Sequence, residues 1–79
     1  MNTITIEYFA VLREHADRDS EQLATGAKTA GELFAELGTR YGFPELSSVK
    51  VAVNDEFADW DTTLADGDTV VFIPPVAGG

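Results

Sequence analysis

The chain has 79 residues and no cysteine, and it carries 14 acidic against five basic residues for a formal net charge of −9. This length suits one small domain, and without cysteine the domain has no disulfide, no iron–sulfur cluster and no thiolate nucleophile. Its negative charge argues against binding to nucleic acids or membranes. No apolar run approaches the roughly 20 residues of a membrane span, and no leader opens the chain. We therefore expect a cytoplasmic protein.

The first predicted element is a strand over residues 3–9, where apolar and polar residues alternate. Ile4, Ile6 and Tyr8 share one face, and Phe9 falls on the opposite, more polar face. The next predicted elements are a helical turn, a polar turn and a short strand, over residues 10–16, 17–20 and 21–25.

The clearest helix signal begins at Thr29. Thr29 and Glu32 have the spacing of a capping box, in which the hydroxyl accepts from the Glu32 amide and the Glu32 carboxylate reaches back to the cap residue. Gly42 suits a left-handed residue after the last turn, and Pro44 prevents the helix from continuing. The apolar stripe of this helix comprises Leu33, Phe34, Leu37 and Tyr41.

Three further strands are predicted over residues 49–54, 56–58 and 69–73. Asn54 and Asp55 tolerate positive φ, so they indicate a tight turn between the first two of these strands. Trp60 and Leu64 are expected to anchor the irregular stretch that follows, and residues 66–68 are expected to form a turn.

This order of strands and helix predicts an α+β fold of the ubiquitin-like β-grasp type. A helix between strands of one sheet implies a right-handed crossover, which places the first and last strands parallel at the centre. We expect a mixed sheet of four to five strands with one main helix across one face. The β-grasp domain is expected to span residues 1–73, followed by a flexible, extended C-terminal tail over residues 74–79.

The final strand is apolar on both faces, although one helix can cover only one face of a sheet. If Phe72 faces the helix, Val71 and Ile73 point away from it, and Phe9 and Phe57 join them. A contiguous apolar patch on a small acidic domain is typical of a protein interface. The alternatives are that loops fold over the patch, or that the strand register differs by one residue.

Patterns for catalysis or metal binding are weak. The single histidine, His15, lies near Glu14 and Asp17 without a second histidine or a cysteine, so a solvated charged surface is the better interpretation and we expect no metal. No glycine loop opens a helix to bind phosphate, so we expect no bound cofactor. The chain is not expected to be an enzyme on its own.

The tail Pro74-Pro75-Val76-Ala77-Gly78-Gly79 follows the final strand. Proline cannot donate to a sheet ladder and favours an extended backbone, so the pair ends the strand. Two glycines have no side chains to obstruct a narrow channel, so the tail can thread into a partner's active site and deliver the Gly79 carboxylate. The alternative is a frayed terminus without function.

A resemblance to a known family rests on four stretches: residues 9–14, Val53-Asn54, residues 64–68 and residues 72–79. With these stretches the chain resembles the small sulfur-carrier subunit of molybdopterin synthase, a MoaD-like, ubiquitin-related family. The resemblance covers essentially the whole chain, and Ile73 stands where the family often has a second phenylalanine.

The resemblance implies that an ATP-dependent activating enzyme adenylates the Gly79 carboxylate and that sulfur from a cysteine desulfurase converts it to a thiocarboxylate. The tail, with Pro75, Val76, Ala77 and Gly78, then enters the large synthase subunit, where sulfur passes to cyclic pyranopterin monophosphate. The large subunit, in a two-plus-two heterotetramer, and the activating enzyme are the implied partners. With the apolar patch, the resemblance gives a partner interface of Phe9, Arg13, Phe57, Val71 and Ile73.

Other functions remain open at this point. A ubiquitin-like modifier would present an activated Gly79 to substrate lysines, and a plain interaction module would carry an incidental tail. The sulfur carrier for thiamine thiazole synthesis shares the chemistry, but its members are usually shorter and generally lack the Pro-Pro-Val ending. The acidic charge fits either steering towards a basic partner or a high-salt habitat.

Overall fold

The computed structural model describes residues 1–44 and 48–75. Its elements in chain order are β1 (Asn2–Tyr8), α1 (Ala10–Ala16), β2 (Ser20–Thr25), α2 (Ala30–Tyr41), β3 (Lys50–Val53), β4 (Glu56–Ala58) and β5 (Thr69–Ile73). The five strands form one mixed sheet in the order β2-β1-β5-β3-β4. Strands β1 and β5 are parallel and the other neighbours are antiparallel. The predicted β-grasp fold is therefore confirmed, including the parallel pairing of the first and last strands.

The core lies between the sheet and α2. The register pairs Ile6 with Val70 and Tyr8 with Phe72, so these side chains form neighbouring rows on the inner face of the sheet. From the sheet and α2, the side chains at most 2% exposed include Ile4, Ile6, Tyr8, Leu33, Leu37, Val51, Val70 and Phe72. In both β1 and β5, the residues that the alternation predicts to face α2 are the buried ones.

Helix α2 begins and ends where the sequence predicts. The Thr29 hydroxyl accepts a hydrogen bond from the Glu32 amide at 3.2 Å. Gly42 adopts a φ of 67°, and its amide donates to the Gly38 carbonyl at 2.8 Å. The Glu32 carboxylate accepts from the amide of Lys28 at 3.0 Å, one residue before the cap, so the returning half of the predicted capping box is displaced.

The segment after β4 crosses the N-terminus of α2. The amides of Ala30 and Gly31 donate to the carbonyls of Thr62 and Trp60, at 3.1 and 2.8 Å, which satisfies two donors that a helix start leaves free. A Cβ at Gly31 would lie 3.2 Å from the Trp60 carbonyl oxygen, so glycine permits this close approach. The Trp60 ring stacks on Phe72 with a centroid distance of 6.0 Å, which confirms its predicted anchoring role.

A hydrogen-bonded cluster around the Glu21 carboxylate joins β1, β2 and α2. Glu21 accepts hydrogen bonds from the hydroxyls of Tyr8 and Tyr41 at 2.6 and 2.5 Å, and it pairs with Arg18 at 3.2 Å. Partial burial raises the pKa of Glu21, but the bonds from Tyr41 and Tyr8 and the Arg18 charge outweigh it and lower that pKa overall. Burial, with the bond to Glu21, raises the pKa of both tyrosines.

The β3–β4 hairpin turns at Asn54 and Asp55, which have φ angles of 52° and 71°, as predicted. The Asn54 side chain also accepts from the Thr69 amide and donates to Asp68, both at 2.9 Å. The turn is thereby tied to the start of β5, which fixes β3, β4 and β5 relative to one another.

Candidate partner-binding face and tail exit

The face of the sheet opposite α2 is called here the outer face. Because side chains alternate along a strand, the residues between the buried ones point to this face. The outer face comprises Thr3, Thr5 and Glu7 on β1, Ser20, Gln22 and Ala24 on β2, Lys50 and Ala52 on β3, Phe57 on β4, and Thr69, Val71 and Ile73 on β5.

The apolar residues of the outer face form one patch across three strands. The register places Val71 beside Ala52 and Ala52 beside Phe57, and Ile73 lies two residues along β5 from Val71. These four residues are called here the outer patch. Phe57 is 78% exposed, whereas Val71 and Ile73 are half-buried. The contiguous apolar patch expected from the two-faced pattern of β5 is therefore present.

Phe9 extends this surface at the end of β5. Strand β1 ends at Tyr8, and Phe9 is the N-cap of α1 with 46% of its surface exposed. Ala10 has a φ of 52° and follows Phe9 in the left-handed region, a conformation that has no signal in the sequence. A groove of about 480 Å³ is lined by Phe9, Ala10, Val11, Glu14, Ile73, Pro74 and Pro75. It is called here the exit groove.

The exit groove lies where the chain leaves the sheet. Pro74 is buried and Pro75 is exposed, so the change to an exposed backbone occurs between the two prolines. The structure brings the predicted site residues Phe9, Ile73 and Pro75 together in this groove. The remaining predicted tail positions, Val76, Ala77, Gly78 and Gly79, lie outside the described residues, and the boundary between domain and tail stays a prediction.

The Arg13 side chain pairs with Asp19 and not with a residue of the outer patch. Its guanidinium is 3.6 Å from the Asp19 carboxylate, and both side chains are exposed. Asp19 directly precedes β2, which lies on the opposite side of β1 from β5. The role of Arg13 at an interface therefore stays a prediction.

The outer face differs in charge from the rest of the domain. Glu7 and Lys50 are its charged residues, and they balance each other, although the whole chain has a net charge of −9. Exposed carboxylates are concentrated in the turns instead, at Asp55, Asp59, Asp61 and Asp66. No sequence motif indicates a role for Lys50, although its alternation with Val51 is sufficient to place it beside the outer patch.

The described residues provide neither a metal site nor a membrane-spanning helix. Within residues 1–44 and 48–75, no set of histidine, aspartate or glutamate side chains is arranged to hold a metal ion. His15 instead lies edge-on to Phe43, with 6.5 Å between ring centroids. Over the same residues, no helix combines the length and the apolar character that crossing a membrane requires.

The sequence from residue 6 to residue 79 matches the model of the ThiS family. The chain belongs to the ThiS family. This family member is 37% identical to a Mycobacterium tuberculosis protein named molybdopterin synthase sulfur carrier subunit, over 86 aligned residues that include 100% of both chains. The resemblance drawn from the sequence motifs is thereby confirmed.

Solved structures of related chains agree with this assignment. A structure described as putative molybdopterin converting factor subunit 1 from Pyrococcus furiosus has a TM-score of 0.82 and 31% identity, covering 96% of this chain and 100% of the other. Another is described as the complex of subunits 1 and 2 of the molybdopterin-converting factor from Helicobacter pylori. That similarity has a TM-score of 0.68 and 29% identity, over 98% of this chain and 99% of the other.

Proposed function

We propose that this chain is the sulfur-carrier subunit of molybdopterin synthase and that it carries sulfur on the carboxyl group of Gly79. The observation that carries the proposal is the similarity over the full length to relatives of that name. The fold supports it, because the central strand β5 leads through Pro74 and Pro75 towards Gly78 and Gly79.

The chemistry starts at a carboxylate, which is a poor electrophile. In the proposed cycle, a Gly79 carboxylate oxygen attacks the α-phosphate of ATP on an activating enzyme, and pyrophosphate leaves. A hydrosulfide equivalent from a sulfur donor then attacks the acyl carbon and displaces AMP, which leaves a thiocarboxylate. The chain has no cysteine, so no thiol of its own competes for the acyl group.

The partner in the second half of the cycle is the large subunit of molybdopterin synthase. We place its contact on the outer patch and the exit groove, because a protein that receives the tail must also cover the groove at its base. Phe57 and Phe9 offer apolar area that is still exposed in the free chain. The tail would then present the thiocarboxylate to cyclic pyranopterin monophosphate inside the large subunit. Its sulfur would displace an oxygen substituent from a substrate carbon, and water would cleave the resulting thioester, which leaves sulfur on the substrate and returns Gly79 to a carboxylate.

Intact mass spectrometry tests the first half of the cycle. The full chain is incubated with ATP, the activating enzyme and the sulfur donor, and the expected mass gain equals the difference between one sulfur and one oxygen atom. A control chain with one alanine added after Gly79 is expected to fold normally and gain no mass, because its Gly79 has no free carboxylate. An unchanged mass of the unmodified chain contradicts the proposal, and isopeptide conjugates to lysine would favour a protein modifier.

The second half is tested with the thiocarboxylated chain, the large subunit and cyclic pyranopterin monophosphate. Formation of molybdopterin with loss of the added sulfur supports the assignment. If the thiocarboxylate forms but no sulfur is transferred in this mixture, the chain serves another sulfur pathway, such as thiamine thiazole synthesis.

A further inference from the structure

We propose that two copies of the free chain associate weakly through their outer faces, around a two-fold axis that crosses β5 between Val71 and Ile73. A corollary, which rests on the proposed function, is that this self-association competes with binding of the large subunit. The self-association itself follows from the arrangement of charge and apolar area on the outer face.

The first observation is the balance of charge. Glu7 and Lys50 lie on opposite sides of β5, on β1 and β3, and among the described residues neither takes part in an ion pair. The rest of the molecule is strongly acidic, so most faces of two copies repel each other. The outer face carries one charge of each sign around an apolar centre, so two copies of it do not repel each other.

The second observation is the position of these charges in the register. Glu7 lies directly beside Val71, whereas Lys50 lies directly beside Ile73. The two charged residues are therefore two strands apart, about 10 Å, and two residues apart along the strand direction, about 7 Å. The midpoint between them falls on β5, between Val71 and Ile73, within the outer patch.

A two-fold axis in the plane between two stacked sheets exchanges such positions. If the axis passes over this midpoint and runs perpendicular to the line from Glu7 to Lys50, Glu7 of each copy faces Lys50 of the other. An isologous interface makes every contact twice, so the dimer gains two ion pairs on either side of a shared apolar centre. The same face therefore supplies both halves of the complementary charge.

The size of the outer face sets the strength of the association. Five strands about 4.8 Å apart, each about five residues long, give a face of about 400 Å² and a dimer interface of about 800 Å² in total. Stable protein interfaces bury more than about 1,200 Å², so this contact belongs to the weak, transient class. A larger partner that also holds the tail displaces the second copy, which keeps the surface available when the large subunit is present.

Sedimentation equilibrium of the full chain, up to about 1 mM, tests the proposal, because that range reveals dissociation constants into the millimolar region. We expect a reversible monomer–dimer equilibrium that Phe57→Ser abolishes. Glu7→Lys and Lys50→Glu alone are each expected to weaken dimerisation about tenfold, since each substitution places like charges opposite each other twice. The double variant Glu7→Lys/Lys50→Glu is expected to restore the dimer.

Asp61→Lys is the matched control, because it changes the net charge as Glu7→Lys does but lies in an exposed turn beside Trp60. It is expected to leave the dimer intact or strengthen it slightly. A chain that stays monomeric throughout the concentration range, or a double variant that is no better than the single variants, overturns the proposal.

The same variants separate this proposal from the sulfur-carrier function. Thiocarboxylate formation depends on the terminus and is expected to be unchanged in the Glu7→Lys, Lys50→Glu and Asp61→Lys variants, so a chain that gains sulfur but never dimerises contradicts self-association alone. Adding the large subunit to the unmodified chain is expected to dissolve the dimer. A ternary assembly of two small subunits stacked face to face and still bound to the large subunit contradicts the competition.

Discussion

Phe57→Ala is expected to weaken binding to the large synthase subunit far more than it weakens the fold. Phe57 is 78% exposed in the free chain, and complete burial of a phenylalanine side chain is worth up to about 3 kcal/mol. Covering the exposed part therefore stabilises a complex by about 2 kcal/mol, and the substitution raises the Kd about thirtyfold. The small buried part contributes only about 0.7 kcal/mol to the free energy of unfolding.

Phe9→Ala is the comparison variant for this prediction, because Phe9 is less exposed than Phe57. Phe9 is 46% exposed, so the same reasoning gives a loss of about 1.4 kcal/mol and a rise in Kd of about tenfold. Isothermal titration calorimetry at concentrations below self-association measures both affinities, and urea denaturation measures both stabilities. The ratio of the two effects is thus set by the two exposed fractions.

Phe34→Leu is the matched control on the other side of the sheet. Phe34 lies on α2 and packs on Phe72 with a ring-centroid distance of 4.8 Å. We expect this variant to lose stability by about 1 kcal/mol and to bind normally once folded. If Phe57→Ala destabilised the free chain as much as Phe34→Leu and left the affinity per folded molecule unchanged, the outer patch would not be the binding surface.

Three further predictions concern stability and encounter. Gly38→Ala is expected to raise the free energy of unfolding by up to about 1 kcal/mol, because its Cβ enters open space. Gly31→Ala is expected to raise it less, because its Cβ would meet the Trp60 carbonyl. Thermal denaturation ranks the two variants, and the reverse order contradicts the close approach of Trp60 to Gly31. Because folding lowers the pKa of Glu21, its stabilisation is present above the ordinary value of 4.5 and disappears as pH falls through the folded value. Glu21→Gln should flatten this acid dependence in urea titrations, and an unchanged slope would exclude the cluster as its source. Stopped-flow association with the large subunit should slow as salt rises to physiological levels, where the screening length is about 8 Å, whereas a flat or rising rate would exclude steering.

Features that depend on a few neighbouring residues were predictable from the sequence. The alternation of Ile4, Ile6 and Tyr8 indicated the buried face of β1 because a strand repeats every two residues. The cap at Thr29 and the positive φ at Asn54 followed from the chemistry of single side chains next to their own backbone. Local rules were sufficient here because no distant contact opposes them.

Features that depend on how distant segments meet were not predictable. The approach of the Trp60 carbonyl to Gly31 arises from the packing of a loop on α2, and glycine within a helix does not by itself indicate which partner comes close. Glu21 was assigned only to the start of a strand, whereas its environment depends on two tyrosines from other elements. Register also decides that Glu7 and Lys50 flank the outer patch.

Phe9 shows how a correct prediction can have a different structural cause. The strand pattern placed it on the face opposite Ile4, Ile6 and Tyr8, together with Val71 and Ile73. In the structure β1 has already ended, and Phe9 reaches the exit groove as the cap of α1, just before the left-handed Ala10. Strand periodicity therefore predicted the side of the sheet on which Phe9 lies, but not the turn that brings Phe9 to the exit groove.

The parallel pairing of β1 with β5 also determines when the domain can fold. The two central strands come from opposite ends of the sequence, and closing such a large loop is slow because its entropy must be lost before the contact forms. During synthesis, the β1–β2 hairpin and α2 emerge with no central strand to join them to β3. A chain interrupted before Thr69 is therefore expected to stay unfolded and open to proteases. Any molecule that reaches the native state already contains the strand that leads into Pro74 and Pro75.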